Sequence, residues 1–427
     1  MKILEIYIDG YKNIKNTRLS FSESIVVLLS KNNYGKSNVI EGVSFGFKFL
    51  GLSRANAYEC ITAGKYFNKF KEDDDRRFTF EVKFQKEDED NKTYLYSYAF
   101  GETKNGDYGI LDEELSCEEN GYTWVLLKRN SEKPTHVMLR PKDPTLEPGY
   151  FYLESDIPAD GAGLFIHMFG QPPIQTEGKT KWELRFDKIL EEIHKVYIAL
   201  PQAGVGEIIF GESADLNNLP RLFKDLHTLK HNDEDGYAFF IESFKKMFPE
   251  YESVTLEMNL AKEPYLVLRG AGRDKSETIE TLSTGTKKIL KLLGELYFSE
   301  TPLISVEELE NGIHPKLLDD VLNIFQEISE RKRRSESRFK YPRLIITSHS
   351  VNLINLFSEY LDSLHVGLDG FNRDKDMSAR FVAFSEKGKQ ELMDEFDLLG
   401  IWAAGRLIYD YGEDEEYSTK LRRWLED

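Results

Sequence analysis

Apolar and polar positions along the chain follow two periods in alternation, and their order predicts an α/β protein. Residues 2–9 (KILEIYID) alternate, with Ile3, Ile6 and Ile8 apolar, which predicts an amphipathic strand. A turn through Asp9-Gly10 and Lys12-Asn13 leads to a second short strand around Thr17 to Phe21. Ile25 to Leu29 (IVVLL) is an unbroken apolar run, the pattern of a strand buried on both faces in a parallel sheet. A polar turn follows, then a helix predicted from Lys36 to about Leu50. The acidic run Asp73–Asp75 reads as solvated loop. Beyond it, Phe78–Phe84 and Tyr94–Phe100 alternate strictly around a charged turn and predict a β-hairpin.

From about 101 to 180 the pattern weakens to short strand-like pieces such as Thr123–Lys128, and Pro141, Pro144, Pro148, Pro172 and Pro173 argue against a long helix there. Helical periodicity returns at Trp182–Tyr197 and Asp235–Phe248, and Val254–Met258 with Tyr265–Leu268 predicts a second hairpin. Leu282-Ser283-Thr284-Gly285-Thr286 precedes an amphipathic helix carrying Ile289, Leu290, Leu292, Leu293 and Leu296. Pro302–Val306 is a short buried strand ending in Glu307-Glu308, and Leu344–Thr347 is another ending in Ser348-His349-Ser350. Short apolar strands alternating with helices predict a parallel sheet. Ligand-binding groups gather at the carboxyl ends of such strands, where Lys36, Ser37, Glu307, Glu308 and His349 all stand.

The turn after Leu29 reads as a phosphate cradle, because the unpaired backbone N–H groups at a helix start suit an anion. Lys36 would bridge the β- and γ-phosphates of ATP and the Ser37 hydroxyl would ligate Mg²⁺. Ser30 stands where G-x-x-x-x-G-K-[ST] has its first glycine. Two adjacent carboxylates at a buried strand end are costly without a cation or proton between them. Glu307 is therefore assigned to the metal and Glu308 to the attacking water. His349 is a candidate γ-phosphate sensor, with a structural histidine as the alternative. Ser283, Gly285 and Thr286 form a second candidate anion cradle, with an ordinary helix cap by Ser283 or Thr284 as the alternative. One ATP does not need two cradles from one subunit, which suggests two copies packed head to tail.

Charge and composition narrow the classes. A formal charge of −18 argues against non-specific coating of nucleic acid, so any DNA contact would be local. The concentrated basic segment is Arg331–Arg334, expected in a loop: either solvated or a local patch for DNA or a partner. Cys60 and Cys117 support neither a disulfide framework nor a zinc site, and His227 and His231, at helical spacing, make no convincing metal pair. No apolar run approaches the ~18 residues that span a bilayer, and the expectation is a cytoplasmic protein with no membrane contact.

In this order, SKNNYGKSN, LSTGT, LISVEELENGIHP and TSHS resemble the Walker A, signature, Walker B with acidic D-loop, and switch-histidine motifs of ABC-type ATPases of the SMC/RecF/OLD branch. The resemblance covers roughly 1–50 and 240–360, and departs at Ser30 and at Leu309, where the family has Pro. It implies a P-loop ATPase head with an antiparallel β subdomain and a helical or irregular insertion. It adds Asn32, Asn33 and Asn38 to the nucleotide-binding set, with ATP and Mg²⁺ as cofactors, and leaves Gln85 or Gln202 as Q-loop candidates. The expected division is an ATPase lobe at 1–100, an insertion at 101–235, a second lobe at 236–365 and an extension at 366–427. The interval lacks the heptads of SMC proteins. Asp374 and Asp376 form a D-x-D without the room of a Toprim nuclease, so no intrinsic nuclease is expected. The implied protein resembles stand-alone ATPases of anti-phage systems: a homodimeric or larger switch controlling a separate effector. The alternatives are a RecF-like DNA clamp and a nucleotide-binding scaffold without turnover.

Overall fold

The strand Ile25–Leu29 (β3) is buried at every position, and alternate side chains feed two different cores. Ile25, Val27 and Leu29 enter a core shared with helices on one face, while Val26 and Leu28 enter one shared with the first helix and an antiparallel sheet. A continuous apolar run is what a strand covered on both faces requires, each side chain contributing about 1.5–3 kcal/mol of burial. The computed structural model describes residues 1–22, 24–32, 34–52, 56–57, 59, 77–86, 91–102, 108–130, 136–141, 151–154, 191–196, 200, 205–209, 219–270, 272, 276–298, 301–310, 313, 315–334, 343–349, 361–368, 378–399 and 415–426.

The antiparallel sheet is built from β1 (Lys2–Asp9), β2 (Thr17–Ser20), β4 (Arg77–Gln85), β5 (Lys92–Glu102), β6 (Tyr108–Glu119), β7 (Tyr122–Asn130), β8 (His136–Pro141) and β9 (Phe151–Glu154). Their spatial order is β2-β1-β4-β5-β6-β7-β8-β9. The strict alternation of β4 and β5 puts Phe78, Phe80, Tyr98 and Phe100 on the face covered by helix α1 (Lys36–Leu50). Phe49 of α1 stacks on Phe100 at 4.8 Å, and Phe47 meets Phe80 edge-on at 5.1 Å.

Residues 108–154 hold more strand than their pattern suggested. In β6 and β7 the reason is buried charge. Glu113 of β6 lies opposite Arg129 of β7, both are buried, and Tyr96 of β5 donates its hydroxyl to the Glu113 carboxylate at 2.9 Å. A charged residue on the inner face breaks the alternation by which a strand is read.

The parallel sheet has the order β10-β14-β15-β3-β16-β17, from β10 (Val205–Ile209), β14 (Leu303–Glu307), β15 (Arg343–Ser348), β3, β16 (Leu364–Leu368) and β17 (Arg380–Ala383), the last antiparallel. Its core on one face is shared with α2 (Leu219–Asn232), α3 (Glu234–Met247), α4 (Thr284–Phe298) and α5 (Pro315–Arg334). A smaller sheet holds β11 (Tyr251–Met258), β12 (Pro264–Gly270) and β13 (Ser276–Thr278), and the chain closes with α6 (Glu386–Leu399) and α7 (Glu415–Glu426). The helix expected at 235–248 and the hairpin at 254–268 are present as α3 and as β11 with β12. Of the helix expected at 182–197, only 191–196 is described, and it is helical.

Arg331–Arg334 is not loop: it forms the last turn of α5. Asp374, Asp376, Gln202 and residues 400–414 lie outside the described residues. No helix among the described residues is long and apolar enough to cross a membrane.

Candidate functional site

Three adjacent strands, β14, β15 and β3, run parallel and end together. Their carboxyl ends bring Glu307-Glu308, Ser348-His349 and the Ser30–Ser37 turn, far apart in sequence, to one edge of the sheet.

The turn ends at Gly35, whose φ of 98° lies in the left-handed region that glycine reaches without strain. A Cβ there would stand 2.6 Å from Asn13 Oδ1. Asn13 also accepts from Asn38 Nδ2 at 2.7 Å, so the loop after β1 braces the start of α1. No side chain caps α1, which leaves its first N–H groups facing the turn. Lys36 is buried, with its ammonium donating to the carbonyls of Ser30 at 2.8 Å and Lys31 at 3.0 Å. Burial lowers its pKa, and the nearby Glu308 and Glu310 carboxylates pull it back up. Ser37 and Asn32 are exposed, and Asn33 lies outside the described residues.

Ser30 has room because of its neighbour. β16 runs beside β3 with Val366 opposite Leu29, so Gly367 follows alongside Ser30. A Cβ on Gly367 would lie 2.8 Å from the Ser30 Cβ. Ser30 is not among the residues with positive φ, so the local backbone does not demand glycine.

Glu308 follows β14 with a φ of 49°, a sparsely populated conformation for a residue with a side chain. It is held there by its N–H, which donates to Thr347 Oγ1 of β15 at 3.0 Å. Its carboxylate acts on two lysines: Lys36 of the phosphate turn and Lys288 of α4, a buried ammonium whose pKa burial lowers and Glu308 raises. Glu307 is half-buried at the last position of β14.

His349 is exposed at the end of β15, and its Nδ1 lies 3.3 Å from Glu310 Oε1. The same oxygen accepts from Ser348 Oγ at 2.7 Å and from the His349 N–H at 2.9 Å. The loop after β14 is thus tied to the end of β15 through Glu308 and again through Glu310.

Ser283 caps α4, accepting from the Thr286 N–H at 3.1 Å with its hydroxyl 2.8 Å from Thr286 Oγ1. That is the ordinary capping arrangement. Ser283 and Thr284 remain exposed, Gly285 is half-buried and Thr286 is buried.

Gln85 does not join the site. It pairs with Lys2 at the start of β1, about 23 Å of strand from Asp9, where β1 turns toward the phosphate loop. Its amide reaches Thr93 at 3.4 Å instead. Asn13, Lys288, Glu310 and Thr347 were not singled out from sequence. Only Glu310 had a signal, its place in the acidic stretch after Glu307-Glu308.

A glycine-hinged turn opening a helix thus meets a histidine and a carboxylate pair at the ends of the next two parallel strands. Residues 173–355 match the family AAA_21, described as "AAA domain, putative AbiEii toxin, Type IV TA system". The matched stretch contains the 283–286 turn, the carboxylate pair and His349, and leaves out the phosphate turn.

Similar solved structures include the SMC head domain from Thermotoga maritima, at 11% identity and TM-score 0.45, covering 90% of this chain and 100% of that one. The SmcHead bound to the C-winged helix domain of ScpA gives 15% identity and TM-score 0.47, covering 92% of this chain and 100% of that one. The Smc head domain with an extended coiled coil, bound to the C-terminal domain of ScpA derived from Pyrococcus furiosus, gives 13% identity and TM-score 0.44, covering 93% and 99%. No curated protein matches the chain.

Proposed function

We propose that this chain binds and hydrolyses ATP with Mg²⁺ and uses its nucleotide state to switch a separate effector in anti-phage defence. The observation that carries the first half is the convergence of Lys36, Glu308 and His349 at the ends of three neighbouring strands. Lys36, with Asn32, Asn33, Gly35 and Asn38 around it, would hold the phosphates. The exposed Ser37 hydroxyl and the Glu307 carboxylate are hard oxygen donors that suit Mg²⁺. The ion, when bound, neutralises charge developing on the transferred phosphate. Glu308 would take the proton of the attacking water, in reach of the Lys36 field. His349 would face the γ-phosphate and sense whether it is present.

For the second half, the matched family's description, a putative toxin of a Type IV TA system, supports a toxin–antitoxin setting, and the separate effector rests on the motif resemblance. Two chains packed head to tail, as a homodimer or within a larger homo-oligomer, would let Ser283, Gly285 and Thr286 of one close over the nucleotide of the other. Lys36→Ala should abolish ATP binding, whereas Glu308→Gln should bind ATP and lose turnover, because only the transition state needs the activated water. Wild-type hydrolysis by Glu308→Gln would remove the base assignment. The purified chain with Mg²⁺ or Mn²⁺ should cleave neither DNA nor RNA. Nuclease activity lost on changing Asp374 and Asp376 would overturn that.

A RecF-like clamp on duplex DNA is the second reading, supported by the four cations that close α5. It requires DNA-stimulated ATPase activity that disappears when Arg331–Arg334 are neutralised.

A further inference from the structure

We infer that Glu310 is the positioning residue for His349, fixing its imidazole as the Nδ1–H tautomer and leaving Nε2 as the nitrogen offered to phosphate. The argument begins with one oxygen. Glu310 Oε1 accepts from the Ser348 hydroxyl and the His349 backbone N–H, and the His349 ring stands with its Nδ1 3.3 Å from the same oxygen. An ionised carboxylate only accepts hydrogen bonds, so the ring nitrogen facing it carries the proton. The other ring nitrogen is then the free one, as in histidines oriented by a carboxylate behind them.

Position supports the same role. Glu310 is largely buried while the His349 side chain is 44% exposed, so the fixed partner is the carboxylate and the movable one the imidazole. Glu310 Oε2 is buried without a hydrogen-bond partner among the described residues, so the group is anchored through Oε1. Two residues earlier the Glu308 N–H is tied to Thr347 on the same strand end. The loop therefore carries the proposed base and the orienter of the proposed sensor on one short piece of backbone. Any movement of that loop shifts both. The inference deepens the ATPase reading and rests on it for the role of His349, though not for the tautomer.

The test uses the full chain and two variants, Glu310→Ala and Glu310→Gln. Ring ¹⁵N shifts of His349, assigned by their loss in His349→Ala, report the tautomer at about pH 7.5. Wild type should show protonated Nδ1 and unprotonated Nε2. Glu310→Ala should move to the Nε2–H form that prevails in free imidazole, and kcat should fall about 10- to 100-fold with KM for ATP nearly unchanged, as expected of lost orientation. Glu310→Gln keeps an oxygen able to accept the same bonds and should retain the wild-type tautomer and most of kcat. That rescue also covers the case in which Glu310→Ala fails to fold. A wild-type chain in the Nε2–H form, or a folded Glu310→Ala whose tautomer and kcat both match wild type, would overturn the inference. A wild-type chain with the Nδ1–H tautomer and no hydrolysis would instead refute the ATPase reading and leave the orientation standing.

Discussion

His365 gives the sharpest quantitative expectation. It lies fully buried in β16, opposite Leu28 of the phosphate-turn strand and Ala383 of β17. Burial pushes its pKa down to about 4, partly offset by backbone hydrogen bonding that includes the Ser363 carbonyl at 3.3 Å. In the unfolded chain the same imidazole titrates near 6.5. The unfolded state therefore takes up the proton first as pH falls, so the stability is complete above about pH 6.5 and is lost progressively toward pH 4. The difference between about 4 and 6.5 is worth about 3 kcal/mol in full, of which about 2 kcal/mol is lost between pH 7.5 and 5. Urea unfolding of wild type and His365→Leu across that range isolates the term, because every other titrating group is common to both. On acidification wild type should lose about 2 kcal/mol of stability relative to His365→Leu. Parallel curves would refute the reasoning, whatever the absolute stability of the variant.

Two further expectations concern the site. Gly367→Val should destabilise the fold by about 1–3 kcal/mol through overpacking, and Ser30→Gly in the same chain should recover part of the loss, read as melting temperatures of the single and double variants. If the 283–286 turn acts in trans, Lys36→Ala and Ser283→Arg chains are each inactive, while a mixture with demonstrated subunit exchange regains one working site per heterodimer. An inactive mixture would dismiss the head-to-tail arrangement.

What the sequence by itself determined was local. IVVLL could be read as a strand covered on both faces, and Lys36–Leu50 as a helix, because apolar periodicity depends on a few neighbouring residues. The strand-end positions of Lys36, Glu308 and His349 followed from the same reading, since each stands at the point where an apolar run stops. Tertiary structure decided what those ends meet. The placement of β15 between β14 and β3 sets Glu310 against His349 and Thr347 against Glu308. The placement of β16 on the other side sets Gly367 against Ser30, which makes room for the serine. These are pairs of unlike residues 39 to 337 positions apart, and no period connects them. Where the inner face of a sheet carried charge, at Glu113 and Arg129, periodicity failed for the opposite reason. A buried ion is tolerable only beside its partner on the next strand, and that partner is supplied by the fold, not by the neighbouring sequence.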